Sequence, residues 1–134
     1  VLTLADLPDW DIEVLKKTVG NNTATHARLL DKFCLGAVEQ VETLLAANAA
    51  GDWHTVGQVA HKLKSSARAV GALKLGETCH EIEQAVRQAD EAASLLWTSQ
   101  IGIHLERAMG GISGWQAANR IDAAAGTAEA ASQQ

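Results

Sequence analysis

Residues 53–70 decide the predicted fold, and they read WHTVGQVAHKLKSSARAV. Apolar side chains recur there at steps of three and four, at Trp53, Val56, Ala60, Leu63, Ala67 and Val70. This spacing places them on one face of an α-helix and leaves the polar residues on the other. The stretch therefore predicts an amphipathic helix that buries one face, and it ends before Gly71, a residue type that commonly follows a helix.

The same spacing continues on both sides of this stretch and predicts five helices in all. The first covers residues 8–19, because Pro8 suits a first helical turn, where its missing N–H costs nothing. The second and fourth cover residues 23–49 and 73–88. The fifth follows Asp90, and its apolar stripe is Thr98, Ile101, Leu105, Ala108 and Ile112.

Short connections between long amphipathic helices favour antiparallel neighbours. The sequence therefore predicts an all-α fold, an antiparallel up-down-up-down four-helix bundle with a short additional N-terminal helix capping one end. Residues 1–120 are predicted to form one domain, and the Ala-rich residues 121–134 a frayed helical extension or a disordered tail. Gly110, Gly111 and Gly114 weaken the far end of the fifth helix by about 1 kcal/mol each relative to alanine.

Length and charge exclude several classes of protein. The chain has 134 residues, enough for one domain but too few for a two-domain enzyme. Its net charge of −5 argues against nucleic acid as the main partner, since affinity for phosphate backbones depends on clustered Lys and Arg. No apolar run approaches the length of about 20 residues that a membrane span needs.

The two cysteines indicate a reducing compartment. Cys34 and Cys79 do not form a Cys-x-x-Cys pair, and both lie on apolar stripes, so we expect buried free thiols in a cytoplasmic protein. The chain begins at Val1 rather than Met and ends in an Ala-rich stretch. We therefore expect a fragment of a longer protein, such as the cytoplasmic C-terminal domain of an inner-membrane hybrid sensor kinase.

The polar face of the third predicted helix carries an unusual histidine. On a wheel of 3.6 residues per turn, His61 lies roughly 130° from the centre of the apolar stripe and points to solvent. Its neighbours one turn away, Gly57 and Ser65, are both small, while Lys64 and Arg68 add positive charge and His54 lies on a similar face. An uncovered neutral imidazole is a nucleophile, and nearby cations favour an anion on it. The pattern predicts a phosphoryl acceptor, with an ordinary surface histidine as the alternative.

Residues 61–72 read HKLKSSARAVGA and follow AGDW at residues 50–53. This pattern resembles the histidine phosphotransfer (HPt) domain family, whose signature is His-x-Leu-Lys-Gly-Ser/Ala-Ser/Ala with Gly-Ala a few residues later. The resemblance covers about residues 8–115, including the number and lengths of the helices. Ser65 stands where the family commonly has glycine, and its small side chain keeps the surface open.

The resemblance implies a phosphocarrier that moves a phosphoryl group between aspartates of separate receiver domains. It implies that His61 is the acceptor, that Lys64 stabilises the phosphorylated imidazole, and that the receiver supplies Mg²⁺, so that the chain itself holds no cofactor or metal. It also implies a monomer without direct membrane contact. No phosphate-binding loop or kinase signature occurs, which indicates no ATP-dependent kinase activity of its own.

Further residues are expected at the receiver-binding surface. They are Gly57, Ser65, Arg68, Gly71 and, near the end of the fourth helix, Arg87. For Arg87 the favoured alternative is an ion pair with Glu83, four residues before it, on a solvated face.

Three other functions remain open at this point. Within the family, the chain could be the histidine-bearing domain of a chemotaxis-type kinase, phosphorylated directly by a linked ATP-binding domain. It could be a docking module without phosphorylation, using the four tryptophans at positions 10, 53, 97 and 115. A di-iron bundle is disfavoured, because the Glu77-x-x-His80 pair occurs once and faces away from the core. His26 and His104 are interpreted as surface or boundary residues.

Overall fold

The protein is described by a computed structural model, covering the backbone of residues 4–132 and the side chains of residues 4–119. A 3₁₀ turn at Leu4–Asp6 precedes five α-helices, which we number α1 to α5. Their bounds are Ile12–Val19, Thr23–Ala49, Trp53–Val70, Leu73–Arg87 and Glu91–Ser132. No strand occurs within residues 4–132. No helix in that part of the chain is both long and apolar enough to cross a membrane.

Helices α2 to α5 form a four-helix bundle. Each packs against its neighbour in sequence, and α5 closes the ring by packing against α2. Connections of two or three residues join α2 to α3, α3 to α4 and α4 to α5, so consecutive helices run in opposite directions. Helix α1 covers one end by packing on α2 and α3. The predicted all-α bundle with an extra N-terminal helix is confirmed.

The predicted apolar stripes form the core. From α3, the side chains of Val56, Ala60, Leu63, Ala67 and Val70 are buried. All five residues of the stripe predicted for the fifth helix are also buried. Helix α4 contributes Leu75, Cys79 and Ile82, which are fully inaccessible. The spacing of apolar residues was therefore sufficient to identify the buried face of α3 and of α5.

The turn between α3 and α4 depends on Gly71. Its φ is +91°, in the left-handed region that side chains disfavour, and its N–H bonds the carbonyl of Arg68. A Cβ atom at this position would lie 2.1 Å from the carbonyl oxygen of Asp11. Gly71 is buried, so the structure gives it a role in the turn and in the contact with the N-terminal segment.

The predicted start of the first helix at Pro8 is wrong, because α1 begins at Ile12. Asp11 caps it by accepting a hydrogen bond from the N–H of Glu13, 3.0 Å away. The preceding residues instead bind the α3–α4 turn. Asp11 N–H donates to the carbonyl of Gly71 (2.9 Å), and the Trp10 indole N–H donates to that of Val70 (2.9 Å). Contacts distant in sequence thus hold residues 8–11 in a non-helical course.

Two histidines and one cysteine also differ from expectation. His26 is 1% exposed, and its Nε2 is 2.7 Å from the carbonyl oxygen of Gly20 in the α1–α2 turn. His104 is buried where α5 packs on the bundle. Both are therefore core histidines rather than surface residues. Cys79 is buried as expected, whereas Cys34 is only half-buried; neither forms a disulfide.

Helix α5 extends to Ser132, so its backbone runs through most of the predicted tail. The side chains beyond residue 119 lie outside those described. The predicted division into a domain at residues 1–120 and a frayed or disordered tail stays a prediction.

Candidate functional site

His61 lies on the outward face of α3, where this helix packs beside α4. Its side chain is 60% exposed, as the helical wheel predicted. Gly57, one turn earlier, leaves the imidazole uncovered on that side and also lets the two helices approach. A Cβ atom at Gly57 would lie 3.2 Å from Cγ1 of Val86 on α4. The glycine therefore serves the packing of α3 on α4 as well as the openness of the site.

A buried carboxylate from α4 holds the histidine. Oε2 of Glu83 is 2.5 Å from Nδ1 of His61, and Oε1 is 2.7 Å from Nζ of Lys64. Nη2 of Arg87 lies 3.5 Å from the same Oε1, so the predicted Glu83–Arg87 ion pair is confirmed. The side chain of Glu83 is only 5% exposed, however, and its predicted position on a solvated face is wrong. The close packing of α3 on α4 covers it.

Two neighbouring groups keep Glu83 ionised, one positively charged and one a proton donor. Burial acts to raise its pKa, but the hydrogen bonds and charges of Lys64 and His61 outweigh burial, and the pKa lies below its usual 4.5. An ionised carboxylate can only accept hydrogen bonds, so the contact with Nδ1 of His61 assigns a proton to that nitrogen. The neutral imidazole then carries its free lone pair on Nε2. The geometry thus prepares one ring nitrogen as a nucleophile.

A surface depression of about 560 Å³ surrounds this histidine. Its lining residues come from one face of α3 and the end of α4: His54, Gly57, Gln58, His61, Lys62, Glu83, Val86 and Arg87. Lys62 and Arg87 are exposed there, so the rim is positively charged although the chain is acidic overall. Such a rim suits an anionic group presented by another molecule.

Lys64 reaches the histidine through the shared carboxylate. Its side chain is only 15% exposed, and its ammonium group is bound to Glu83 rather than extended over the ring. Lys64 was predicted to stabilise a phosphoryl group, whereas Glu83 was predicted only as the ion-pair partner of Arg87 and not as a site residue. The available signal was weak, because Glu83 lies beside the apolar stripe of α4 and only the neighbouring helix determines that it is buried.

Three other predicted site residues, Ser65, Arg68 and Gly71, lie outside the depression around His61. Ser65 is exposed one turn after His61, with its hydroxyl 3.4 Å from the carbonyl oxygen of that residue. Arg68 forms an ion pair with Glu77 at 3.4 Å. Gly71 is buried in the α3–α4 turn, as described above. None of the three lines the depression around His61.

The residues that suggested the alternative functions are the four tryptophans and the pair Glu77 and His80. Each of the four tryptophans is half-buried and packs against the core, so they do not form a free aromatic surface. Glu77 and His80 are half-buried on α4. Within residues 4–119, no group of three His, Cys, Asp or Glu side chains is arranged to hold a metal ion.

Comparison with known proteins points to one family. The family model described as "Hpt domain" matches residues 28–115, which is well over half of the chain. Among solved structures, the chain is similar to histidine-containing phosphotransfer protein B (HptB) from Pseudomonas aeruginosa PAO1. The sequence identity is 27% and the TM-score 0.69, and the match covers 75% of this chain and 88% of that one. Among curated proteins, none matches this chain.

Proposed function

Because this chain belongs to the Hpt domain family, we propose that it carries a phosphoryl group between receiver domains, with His61 as acceptor. The similarity to HptB supports a role in histidine phosphotransfer. The single observation that carries the residue assignment is the exposed imidazole of His61 with its Nδ1 bound to buried Glu83. The donor and the next acceptor are proposed to be aspartates of two receiver domains.

The proposed transfer follows from the protonation of the ring. Nε2 of His61 attacks the phosphorus of an aspartyl phosphate in line, forming the N–P bond as the P–O bond to the aspartate breaks. The aspartate leaves with the bonding electron pair. Nε2 carries no proton in this tautomer, so no base is needed, and the imidazole gains positive charge. Passing the group to a second aspartate is the same step in reverse.

Glu83 acts as a positioning residue in this proposal. It keeps the proton on Nδ1 and offsets the positive charge that develops on the ring during transfer. Lys64 and Arg87 offset the charge of Glu83 and leave the basic rim able to attract phosphate oxygens. Receiver binding is proposed at the depression around His61, and the receiver is proposed to supply any Mg²⁺. A cytoplasmic location is proposed from the two free thiols.

The test mixes the purified chain with a ³²P-phosphorylated receiver and, separately, with a histidine kinase and ATP. We expect the chain to be labelled by the phosphorylated receiver and not by the kinase with ATP. The bound phosphoryl group should be labile in acid and stable in base. The variant His61→Gln should take up no label. His80→Gln, at a half-buried histidine of α4 outside the depression, is the matched control and should be labelled normally.

Circular dichroism of both variants checks that the helices are intact. Label on a folded His61→Gln variant would show that another residue is the acceptor. Labelling by the kinase and ATP alone would instead support the histidine-bearing domain of a chemotaxis-type kinase.

A further inference from the structure

Two glycines, one from each helix, lie in the contact between α3 and α4. A Cβ atom at Gly57 of α3 would lie 3.2 Å from Cγ1 of Val86. A Cβ atom at Gly76 of α4 would lie 2.9 Å from Cγ of Arg68 and 3.6 Å from the carbonyl oxygen of Lys64. The two shorter distances are tighter than ordinary Cβ contacts. The two helices therefore approach more closely than alanine at either position would allow without movement of a neighbour.

The contact between His61 and Glu83 lies between these two glycines. Gly57 is one turn before His61 on α3, and Val86 is about one turn after Glu83 on α4. Because α3 and α4 are antiparallel, Gly57 and Val86 form the layer of the helix contact next to the layer of His61 and Glu83. A change of helix spacing at Gly57 therefore changes the distance between Nδ1 of His61 and Oε2 of Glu83, which is 2.5 Å.

Neither the backbone of α3 nor the openness of the depression explains a glycine at position 57. Gly57 has no positive φ, and α3 continues through it from Trp53 to Val70. Glycine in a helix interior is less favourable than alanine, because it loses more conformational freedom on folding. Alanine is also small enough to leave the imidazole of His61 largely uncovered. The feature that requires glycine is the close approach to Val86.

Val86 has little freedom to move away from a larger residue at position 57. Valine in a helix has one strongly preferred χ1 rotamer. Val86 is also half-buried and packs against the core. Alanine at position 57 would therefore displace α4 from α3 by a few tenths of an ångström. Valine, with two more methyl groups, would displace α4 further.

We propose that Gly57 is a positioning residue for phosphotransfer. Its contact with Val86 holds α4 close enough to α3 for the carboxylate of Glu83 to keep the proton of His61 on Nδ1. A hydrogen bond weakens as its length and angle depart from the preferred range. At a larger helix spacing, water reaches this carboxylate, which is now 5% exposed, and competes for it. The neutral ring then shares its proton between both nitrogens, and the fraction with a free lone pair on Nε2 falls.

The experiment compares variants of the full chain by ¹⁵N NMR of the imidazole and by single-turnover transfer from a ³²P-labelled receiver. Gly57→Val should shift the proton of neutral His61 from Nδ1 towards Nε2. It should slow transfer at least about tenfold, the loss expected when a hydrogen bond to a charged group is weakened. Gly102→Val, at an exposed position of α5 where a Cβ atom meets nothing within 4 Å, is the matched control. It should keep the native tautomer and the native rate.

A compensating substitution distinguishes positioning from obstruction of the depression. Gly57→Ala should shift the proton of His61 in the same direction as Gly57→Val, but less. Val86→Ala removes Cγ1 of this residue, and the nearest remaining atom, its Cβ, is 3.8 Å from a Cβ at position 57, an ordinary contact. The double variant Gly57→Ala, Val86→Ala should therefore recover the native tautomer. An obstructing methyl group at position 57 would still be present in that variant.

Circular dichroism checks that each variant is folded, and Gly57→Ala gives the decision if Gly57→Val does not fold. A native tautomer in the folded variant would overturn the proposal. A double variant that keeps the altered tautomer would overturn it as well. The role in transfer rests on the function proposed above, but the tautomer is measured without a receiver. If the native chain takes up no label, the proposed function fails, and the tautomers still decide whether Gly57 positions the contact between His61 and Glu83.

Discussion

Replacement of Glu83 by glutamine tests the arrangement that prepares His61 for phosphotransfer. Glu83→Gln keeps the shape of the side chain and removes its charge. In the native protein the carboxylate accepts hydrogen bonds from Nδ1 of His61 at 2.5 Å and from Nζ of Lys64 at 2.7 Å. The amide offers one oxygen where the carboxylate offers two, so at least one of these contacts loses its acceptor.

The expected loss of rate follows from the strength of a hydrogen bond to a charged group. Such a bond contributes about 1.5–3 kcal/mol. Each 1.4 kcal/mol of transition-state stabilisation corresponds to about a tenfold change in rate. The positive charge on His61 is greatest during transfer, so we expect Glu83→Gln to slow transfer from a phosphorylated receiver by about 10- to 100-fold.

The assay is a single-turnover measurement with a ³²P-labelled receiver, combined with ¹⁵N NMR of the imidazole. We expect the proton of His61 to shift from Nδ1 towards Nε2 in the variant, which a purely structural role of Glu83 would not cause. The control is Glu77→Gln, which removes the same charge from α4 but contacts Arg68 rather than His61. Native rate and native tautomer in a folded Glu83→Gln variant would refute the reasoning.

Acid unfolding of the same variant gives an independent check. The native pKa of Glu83 lies below 4.5 although burial opposes this, because Lys64 and His61 stabilise the carboxylate. A lowered native pKa stabilises the fold above the unfolded value of about 4.5, and this contribution is lost as the pH falls through the native value. In chemical denaturation below pH 4.5, the free energy of unfolding of the native protein should therefore fall as the pH is lowered. In the Glu83→Gln variant, the part of this fall that comes from Glu83 should be missing.

Further predictions concern four other residues. Lys64→Ala should slow transfer or shorten the lifetime of the phosphohistidine without unfolding the bundle, and unchanged values of both in a ³²P assay would remove Lys64 from the site. Ser65→Trp should block receiver binding by its bulk, and a native dissociation constant in a titration would place the interface elsewhere. Burial, followed by the charge of Arg107, lowers the pKa of His104 below 6.5. The free energy of unfolding should therefore fall as the pH drops from about 6.5 towards the lower native value, and denaturation curves of His104→Phe should lack this dependence, whereas an equal dependence would contradict the assignment. Burial raises the pKa of Cys79 to about 12, so iodoacetamide should modify it only in denaturant, and mass spectrometry showing rapid native labelling would contradict its burial.

The course of the chain before α1 shows where local signals were insufficient. Pro8 is compatible with a first helical turn, and local preference alone placed the helix start there. The helix starts at Ile12 because Trp10 and Asp11 bind carbonyl groups of the α3–α4 turn, about sixty residues further along the chain. The conformational preference of a single residue such as Pro8 does not depend on contacts this far along the chain, so it could not predict them.

The site shows the same division between local and distant information. His61 was identified correctly as exposed, because the face of a residue on a long helix follows from its spacing to the apolar stripe. Glu83 was assigned to a solvated face, because the packing distance between α3 and α4 cannot be obtained from either helix by itself. That distance depends on Gly57 meeting Val86, and it is what brings the carboxylate under the imidazole.

The amino-acid sequence by itself determined the helices other than the start of α1, most of their buried faces and the exposure of His61, because backbone hydrogen bonding and apolar periodicity act over a few residues. Only the tertiary structure decided which polar groups at the borders of those faces became buried. Glu83, His26 and His104 lost their solvent when neighbouring helices or turns packed over them. Whether such a polar group is covered depends on residues far away in the chain, and the local periodicity of apolar residues contains no information about them.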